Sequence, residues 1–485
     1  MHTHDKVFPN HPSIFVAKSK VEINWYSWSS LLNVYLYTVS NELESPFLAA
    51  HLSTRAVKIP CPHSNSLFGG KDMKRKLSIM MFIEWFVWGA WFVPLWPYLN
   101  EQGFSATQIA WSYSATSIAA IISPVFVGVI ADRYFSAEKV LSVLHILGAI
   151  ILFFVSQQTQ FSSFLPVLLA YTLTYMPTIA LSNSIAFRNL ENADRDFPRV
   201  RVLGTIGWIF SGIVVGFLPS MLGFDDISSS NVPFFVTSIA SLALGLYALI
   251  LPKTAPSKND KRQGVGQLLG IDALLLFKDR AFTIFAICSF LFCIPLAFYY
   301  QFANGYLTQV GLSNATGWMT LGQFSEIFFM VSLPFFLARF GIKKVLMLGF
   351  ATAALRYGFF MFGGTESVFL YSLLFGGILL HGASYDLYFV TAYIYTDRKA
   401  PIHMRASAQG LYTLICMGLG ALVGNVIGGR VLEHFELSEA VGTQTYDWFA
   451  VWAVGLGIIV GVGLLFWFSF NDADRPYEDV GAPLK

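Results

Sequence analysis

The chain has 485 residues and a net charge of +2; 55% of it is hydrophobic, 16% aromatic and only 12% charged, where a water-soluble domain has about a quarter of its residues charged. With a mean hydropathy of +0.57, this excludes a soluble enzyme, and the lack of a basic excess excludes a nucleic-acid partner. What remains is an all-α, multi-pass membrane protein with the lipid bilayer as its solvent. Cys61, Cys288, Cys293 and Cys416 have no metal-ligand spacing, so no metal, cofactor or disulfide framework is expected.

Residues 1–72 are of mixed polarity and contain no apolar run long enough to span; 31–39 is too short, and too far from a basic start, for a signal peptide. Met73-Lys74-Arg75-Lys76 then leads directly into the first apolar segment and reads as the natural beginning of a membrane protein. The preceding 72 residues are expected to be a poorly ordered extension, with a small cytosolic cap as the alternative. From Met73, twelve segments of about 20 residues follow, at 77–99, 106–131, 138–156, 162–186, 200–222, 232–251, 281–303, 315–338, 343–363, 367–393, 404–429 and 446–470.

Alternate loops differ in charge. One set holds Arg133 and Lys139, Arg188, Arg195 and Arg199, Lys258 to Arg262, Arg339 to Lys344, and Arg398 to Arg405; the other set, such as 100–104, 157–162 and 225–231, carries no Lys or Arg. The positive-inside rule therefore puts both termini in the cytoplasm, with an even number of crossings of the cell membrane. Asn314-Ala315-Thr316 falls on the outer side. Residues 252–280 read as a cytoplasmic linker, with 268–277 a possible surface helix, between a six-helix bundle at 73–251 and another at 281–470; 471–485 form a cytoplasmic tail. A weak repeat supports the division: Ser123-Pro124 ahead of Lys139 recurs half a chain later as Leu333-Pro334 ahead of Lys344. Two duplicated halves are a transporter design, with the site between them near the midplane.

Glu326 lies in the middle of an apolar span, where a carboxylate costs a few kcal/mol unless it is paired, protonated or wetted. Gln323 shares its helical face. Span ten carries Asp386 beside Tyr385, with His381 one turn earlier and Tyr388 after. Span five places Arg201, Thr205 and Trp208 at i, i+4 and i+7, on one face, although Arg201 also stands where a positive-inside charge would. Span one puts Glu84, Trp88 and Trp91 on one stripe, rings beside an acid that suit a flat heterocycle bearing hydroxyls. His145 and Arg356 read as structural, the latter snorkelling to the outer surface. Between spans two and three, Gly128-Val-Ile-Ala-Asp132-Arg133 resembles the G-x-x-x-D-R loop motif of the major facilitator superfamily, and Gly128, Asp132 and Arg133 are the expected gate residues.

Several strings together resemble the nucleoside:H+ symporters of that superfamily, the bacterial nucleoside permease type. They are Trp88-Gly89-Ala90-Trp91, Tyr175-Met176-Pro177-Thr178, Arg201…Gly204-Thr205-Ile206-Gly207, Gln323-Phe324-Ser325-Glu326, Tyr385-Asp386, and Arg405-Ala406-Ser407-Ala408-Gln409-Gly410. The resemblance runs from Met73 to about Phe470. It implies that nucleoside is held between the halves by Arg201, Thr205, Gln323, Glu326 and Asp386, with rings from Trp208 and Tyr385; a monomer is expected. His381 stands where the family has a tyrosine, Ala297 and Tyr300 replace a polar pair, and Glu84 replaces an amide. The expected function is proton-coupled nucleoside uptake by alternating access, with Trp88 and His381 as further substrate contacts and Glu326, Asp386 and Glu84 as proton carriers. The alternatives are a symporter for another small polar solute such as a sugar and, less favoured, a membrane-embedded enzyme, for which no nucleophile elbow is found.

Overall fold

The computed structural model describes residues 70–133, 135–255, 271–401, 404–437 and 445–471; most of the expected extension, part of the linker and nearly all of the tail lie outside these residues. Apart from one two-residue antiparallel pairing, Glu436 with Tyr446 and Leu437 with Thr445, the described chain is helical. Nine helical stretches among the described residues are long and apolar enough to cross a membrane, and Val232–Ala248 is a shorter apolar helix.

The main helices are α1 (Gly70–Phe92), α2 (Ala106–Arg133), α3 (Ala137–Val155), α4 (Phe161–Asn189), α5 (Ala193–Gly216), α6 (Val232–Ala248), α7 (Arg280–Gln309), α8 (Thr320–Phe362) and α9 (Val368–Tyr385). A π-turn, Asp386–Val390, leads from α9 into α10 (Thr391–Lys399). Then come α11 (Arg405–Thr413), a second π-turn at Leu414–Gly420, α12 (Ala421–His434) and α13 (Trp448–Ser469). Helix α1 starts within the stretch first read as extension: Asp72 in its first turn pairs with Arg75 at 3.1 Å and Lys76 at 3.3 Å. Side-chain caps fix several other starts, because the first amides of a helix need outside acceptors. Asn192 caps α5, Asp279 caps α7, Ser367 caps α9 and Asp447 caps α13. Part of the linker is a 3-10 helix, Ile271–Lys278, that buries Ala273 and Leu276.

Helix α8 is two limbs rather than one rod. At Gly341 the backbone leaves the helix with φ 74° and ψ 167°, a left-handed φ that glycine adopts without strain. The break falls at the boundary expected between spans eight and nine.

Helices α1 to α6 pack chiefly on one another, α1 against α5, α3 against α4 and α6, and α2 against α4. Helices α7 to α13 do likewise, α8 against α9 and α13, and α7 against α12 and α13. The sets meet where α2 lies on α12 and α5 on the start of α8. At the end with few Lys or Arg residues a tight seam joins them. A Cβ on Gly216 would fall 2.2 Å from the backbone N of Gly317, so the two strips of backbone touch directly. Asn304 Nδ2 donates to the Val93 carbonyl at 3.0 Å and to Thr316 Oγ1 at 2.8 Å, Thr107 Oγ1 donates to Glu433 at 2.6 Å, and Ser220 Oγ donates to Asn314 Oδ1 at 2.8 Å. At the basic end, Lys74–Asp196 (2.8 Å) ties the first set to itself and Lys399–Asp279 (3.0 Å) the second.

The outer surface is studded with exposed Phe153, Phe154, Phe328, Phe335 and Phe468. Water would not tolerate so much contiguous apolar surface, but lipid does.

Candidate functional site between the helix sets

On α5, the Arg201 guanidinium lies over the Trp85 ring of α1, 3.9 Å from its centroid. It also interacts electrostatically with Glu326 of α8, from the opposite set. One and two turns beyond Arg201, Thr205 and Trp208 are half-buried on the same face, and the Trp208 ring sits 5.6 Å from Trp88 and 6.3 Å from Trp85. Trp88 in turn meets Tyr175 of α4 at 6.0 Å. This wall is therefore one fixed cation in a box of rings.

The facing wall is acidic and phenolic. Gln323 and Glu326 are half-buried while Phe324 and Phe328 of the same helix are exposed, so the acid points inward and the phenylalanines toward lipid. Glycine makes this crossing possible: a Cβ on Gly382 of α9 would sit 2.1 Å from the Glu326 amide nitrogen. Ser325 Oγ, donating to the Leu379 carbonyl, pins the same turn. Asp386 is fully buried, and among the described residues neither carboxylate oxygen makes a hydrogen bond of ordinary geometry. It is near enough to Glu326 for the two acids to interact. It opens the π-turn, a geometry that inserts one extra residue into a helix and recurs at functional sites.

His381 is buried and stacks on Tyr299 at 4.9 Å and 17°, with Tyr300 at 6.1 Å and Tyr385 at 5.9 Å around it. Tyr300 reaches across to Phe92 of α1, 6.2 Å away, whereas Ala297 packs against Gly424 of α12. Of the two replacements in span seven, only the tyrosine faces the gap. Arg201, Thr205, Trp208, Trp88, Gln323, Glu326, His381, Tyr385 and Asp386 thus gather around one region between the sets. Gly128, Asp132 and Arg133 occupy the last turns of α2, and their side chains lie outside the described residues.

Three expectations are corrected. Glu84 does not share the Trp88 face: it is 0% exposed and turned into the first set. There Thr178 Oγ1 donates to it at 2.6 Å, His145 Nε2 lies 3.0 Å away, and the far nitrogen of His145 meets Ser241 Oγ at 3.0 Å. A carboxylate enclosed by α1, α3 and α4, with its imidazole held by α6, has the contacts of a structural clamp. Removing one partner of such a pair destabilises by about 3 kcal/mol or more. Glu84→Leu is accordingly expected to lower the melting temperature in detergent while leaving the transport KM unchanged.

Trp91, expected on the same stripe, is 0% exposed and packs on Tyr171; the rings that face the site are Trp85, Trp88 and Phe92. Arg356 does not snorkel outward. It is 1% exposed, folded between Tyr299 and Tyr357 and bonded to His381. Trp85 is a ring of this region that the sequence analysis does not single out, and Arg356 lies beside His381 rather than at the outer surface. The signal was present in the i, i+3, i+7 spacing of Trp85, Trp88 and Phe92, and in a cation within an apolar span.

Two helix sets that bring a cation and acids together among aromatic rings fit a solute transporter, and the chain's relatives are transporters rather than enzymes. The family model described as nucleoside H+ symporter matches residues 71–475, and the chain belongs to that family. It is 58% identical to the protein YegT of Escherichia coli K12 over 82% of this chain and 94% of that one. It is 31% identical to the xanthosine permease of the same organism, over 82% of this chain and 95% of that one. A crystal structure of a mutant of the nucleoside transporter NupG superposes with a TM-score of 0.76 at 30% identity, covering 82% of this chain and all of that one.

Proposed function

We propose that this protein carries nucleosides into the cell together with protons, by alternating access through the gap between the helix sets. The observation that carries the reading is that Arg201 of one set interacts electrostatically with Glu326 of the other, which in turn interacts with Asp386, beside a box of indole rings. Rings stack on a base, acids accept from ribose hydroxyls, and a guanidinium donates to a carbonyl. A carboxylic acid is stable as the neutral form when enclosed and as the anion when wetted. Loading a proton on one side and losing it on the other therefore couples proton flow to the rocking of the sets.

Twelve crossings in two six-helix bundles follow if Gly341 divides α8 and if α2 and α6 also span. The bundles correspond to 73–251 and 281–470, joined through the 252–280 linker. The glycine seam lies at the end without basic loops, which supports an inward-facing state; the positive-inside pattern supports both termini in the cytoplasm. Gly128, Asp132 and Arg133, in the last turns of α2 at the opposite end, are the proposed inner gate.

The test is uptake of labelled uridine and inosine into proteoliposomes with and without an inside-alkaline pH gradient. Accumulation above equilibrium that a protonophore collapses is expected. Gradient-independent flux would overturn proton coupling, and competition by sugars rather than nucleosides would overturn the substrate.

A further inference from the structure

We propose that Arg356 is a positioning residue of this site: it holds His381 as the Nε2–H tautomer, so that the site presents a permanent hydrogen-bond donor to one acceptor atom of the nucleoside. The proposal rests on the nucleoside reading above.

The contact of Arg356 Nη1 with His381 Nδ1 is 3.1 Å long. A guanidinium has five N–H groups and no acceptor, so the bond has only one polarity: arginine donates and Nδ1 contributes its lone pair. The imidazole is then neutral and its one proton sits on Nε2. That nitrogen makes no hydrogen bond among the described residues, and it is not among the sealed, unpartnered atoms. The flanking Tyr300 and Tyr385 rings belong to the site, so the N–H is left for a ligand.

The arginine itself is fixed from several sides. Its guanidinium lies 4.1 Å from the Tyr299 centroid and 5.4 Å from that of Tyr357, and the Tyr357 hydroxyl is anchored on the Pro295 carbonyl. Tyr299 also stacks on His381, so one ring holds both partners at the required angle. Arg356 forms no salt bridge among the described residues, and its Nε is buried without a partner. A buried cation without a counter-charge is a poor way to stabilise a bundle. The contact to His381 Nδ1 fixes the orientation and tautomer of that imidazole. Without it the imidazole could carry its proton on either nitrogen and offer the substrate an acceptor as readily as a donor.

The experiment measures uptake KM in proteoliposomes for a parent nucleoside and for analogues that each lack one acceptor, the 7-deaza, 2′-deoxy, 3′-deoxy and 5′-deoxy forms among them, together with analogues lacking one base carbonyl. In the unmodified protein one deletion is expected to raise KM about three- to tenfold, the worth of one neutral hydrogen bond. In His381→Phe that penalty disappears while the penalties of the other deletions remain. Arg356→Gln, which can donate or accept, is expected to reduce the same penalty selectively, whereas Arg356→Lys, which can only donate, retains it. A merely structural Arg356 would weaken all substrates alike. Equal losses across the panel in Arg356→Gln, or no analogue whose penalty depends on His381, overturns the proposal. Should Arg356→Gln fail to fold, the His381→Phe and Arg356→Lys arms still decide it. An unmodified protein that moves no nucleoside instead fails the parent reading, before any variant is compared.

Discussion

Replacement of Asp386 by asparagine is expected to abolish concentrative nucleoside uptake while leaving nucleoside exchange across the membrane intact. Asparagine fills nearly the same volume, so the π-turn and its packing against α8 persist, but the side chain can no longer take up and lose a proton. In proteoliposomes with an imposed pH gradient, the inside-to-outside ratio should fall to ~1, the value set by passive equilibration when protons no longer supply work. Exchange of internal for external label needs only binding and rocking, and continues. Glu326→Gln provides the comparison. If it too loses accumulation, the two acids act as one proton site, in keeping with their proximity; if it loses binding instead, Glu326 serves substrate and Asp386 the proton. Wild-type accumulation in both variants would remove the acids from the mechanism.

The second large effect is expected at the seam. Gly216→Leu adds a side chain where even a Cβ would fall 2.2 Å from the Gly317 nitrogen and 2.5 Å from its Cα. Backbone atoms have no rotamer by which to retreat, so the outer ends of α5 and α8 cannot close on each other. In the proposed alternating-access cycle, closure at that end is one half. Binding of labelled nucleoside to protein exposed only from the outer face should persist, while net uptake falls by a hundredfold or more, since shifting a two-state balance by that factor needs only about 2.7 kcal/mol. Ser220→Ala offers the control: it loses one exposed hydrogen bond, Ser220 to Asn314 at 2.8 Å, and should transport normally. Normal uptake by Gly216→Leu would show that the seam need not close.

Much of this architecture could be read from the chain because lipid imposes simple rules. Long apolar runs, basic loops on alternate sides, and acids where acids are expensive pointed to a polytopic carrier and brought Arg201, Gln323, Glu326, His381 and Asp386 to attention. What escaped was pairing at a distance. Nothing local to Glu84 announces that His145 and Thr178 close around it; an intramembrane acid looks the same whether it faces a passage or a buried imidazole. Arg356 was misjudged for the same reason, since snorkelling and inward folding differ only in which neighbours are present. The seam at Gly216 and Gly317 is two glycines in separate spans, and neither says what it will touch. The π-turn at Asp386-Leu387-Tyr388-Phe389-Val390 contains no glycine or proline to mark it.

That unmarked turn has a consequence for how the protein can diverge. Holding one residue beyond what an α-helix requires, it divides α9 from α10 into two stretches with different angular phase. Deleting any one residue between 386 and 390 would close the turn into ordinary α-helix and leave both flanking stretches in place, yet would shift the side chains within the turn by about 100° of helical phase. An acid could thus be re-aimed, and the energetics of the carrier altered, by a change that no count of matching side chains would flag.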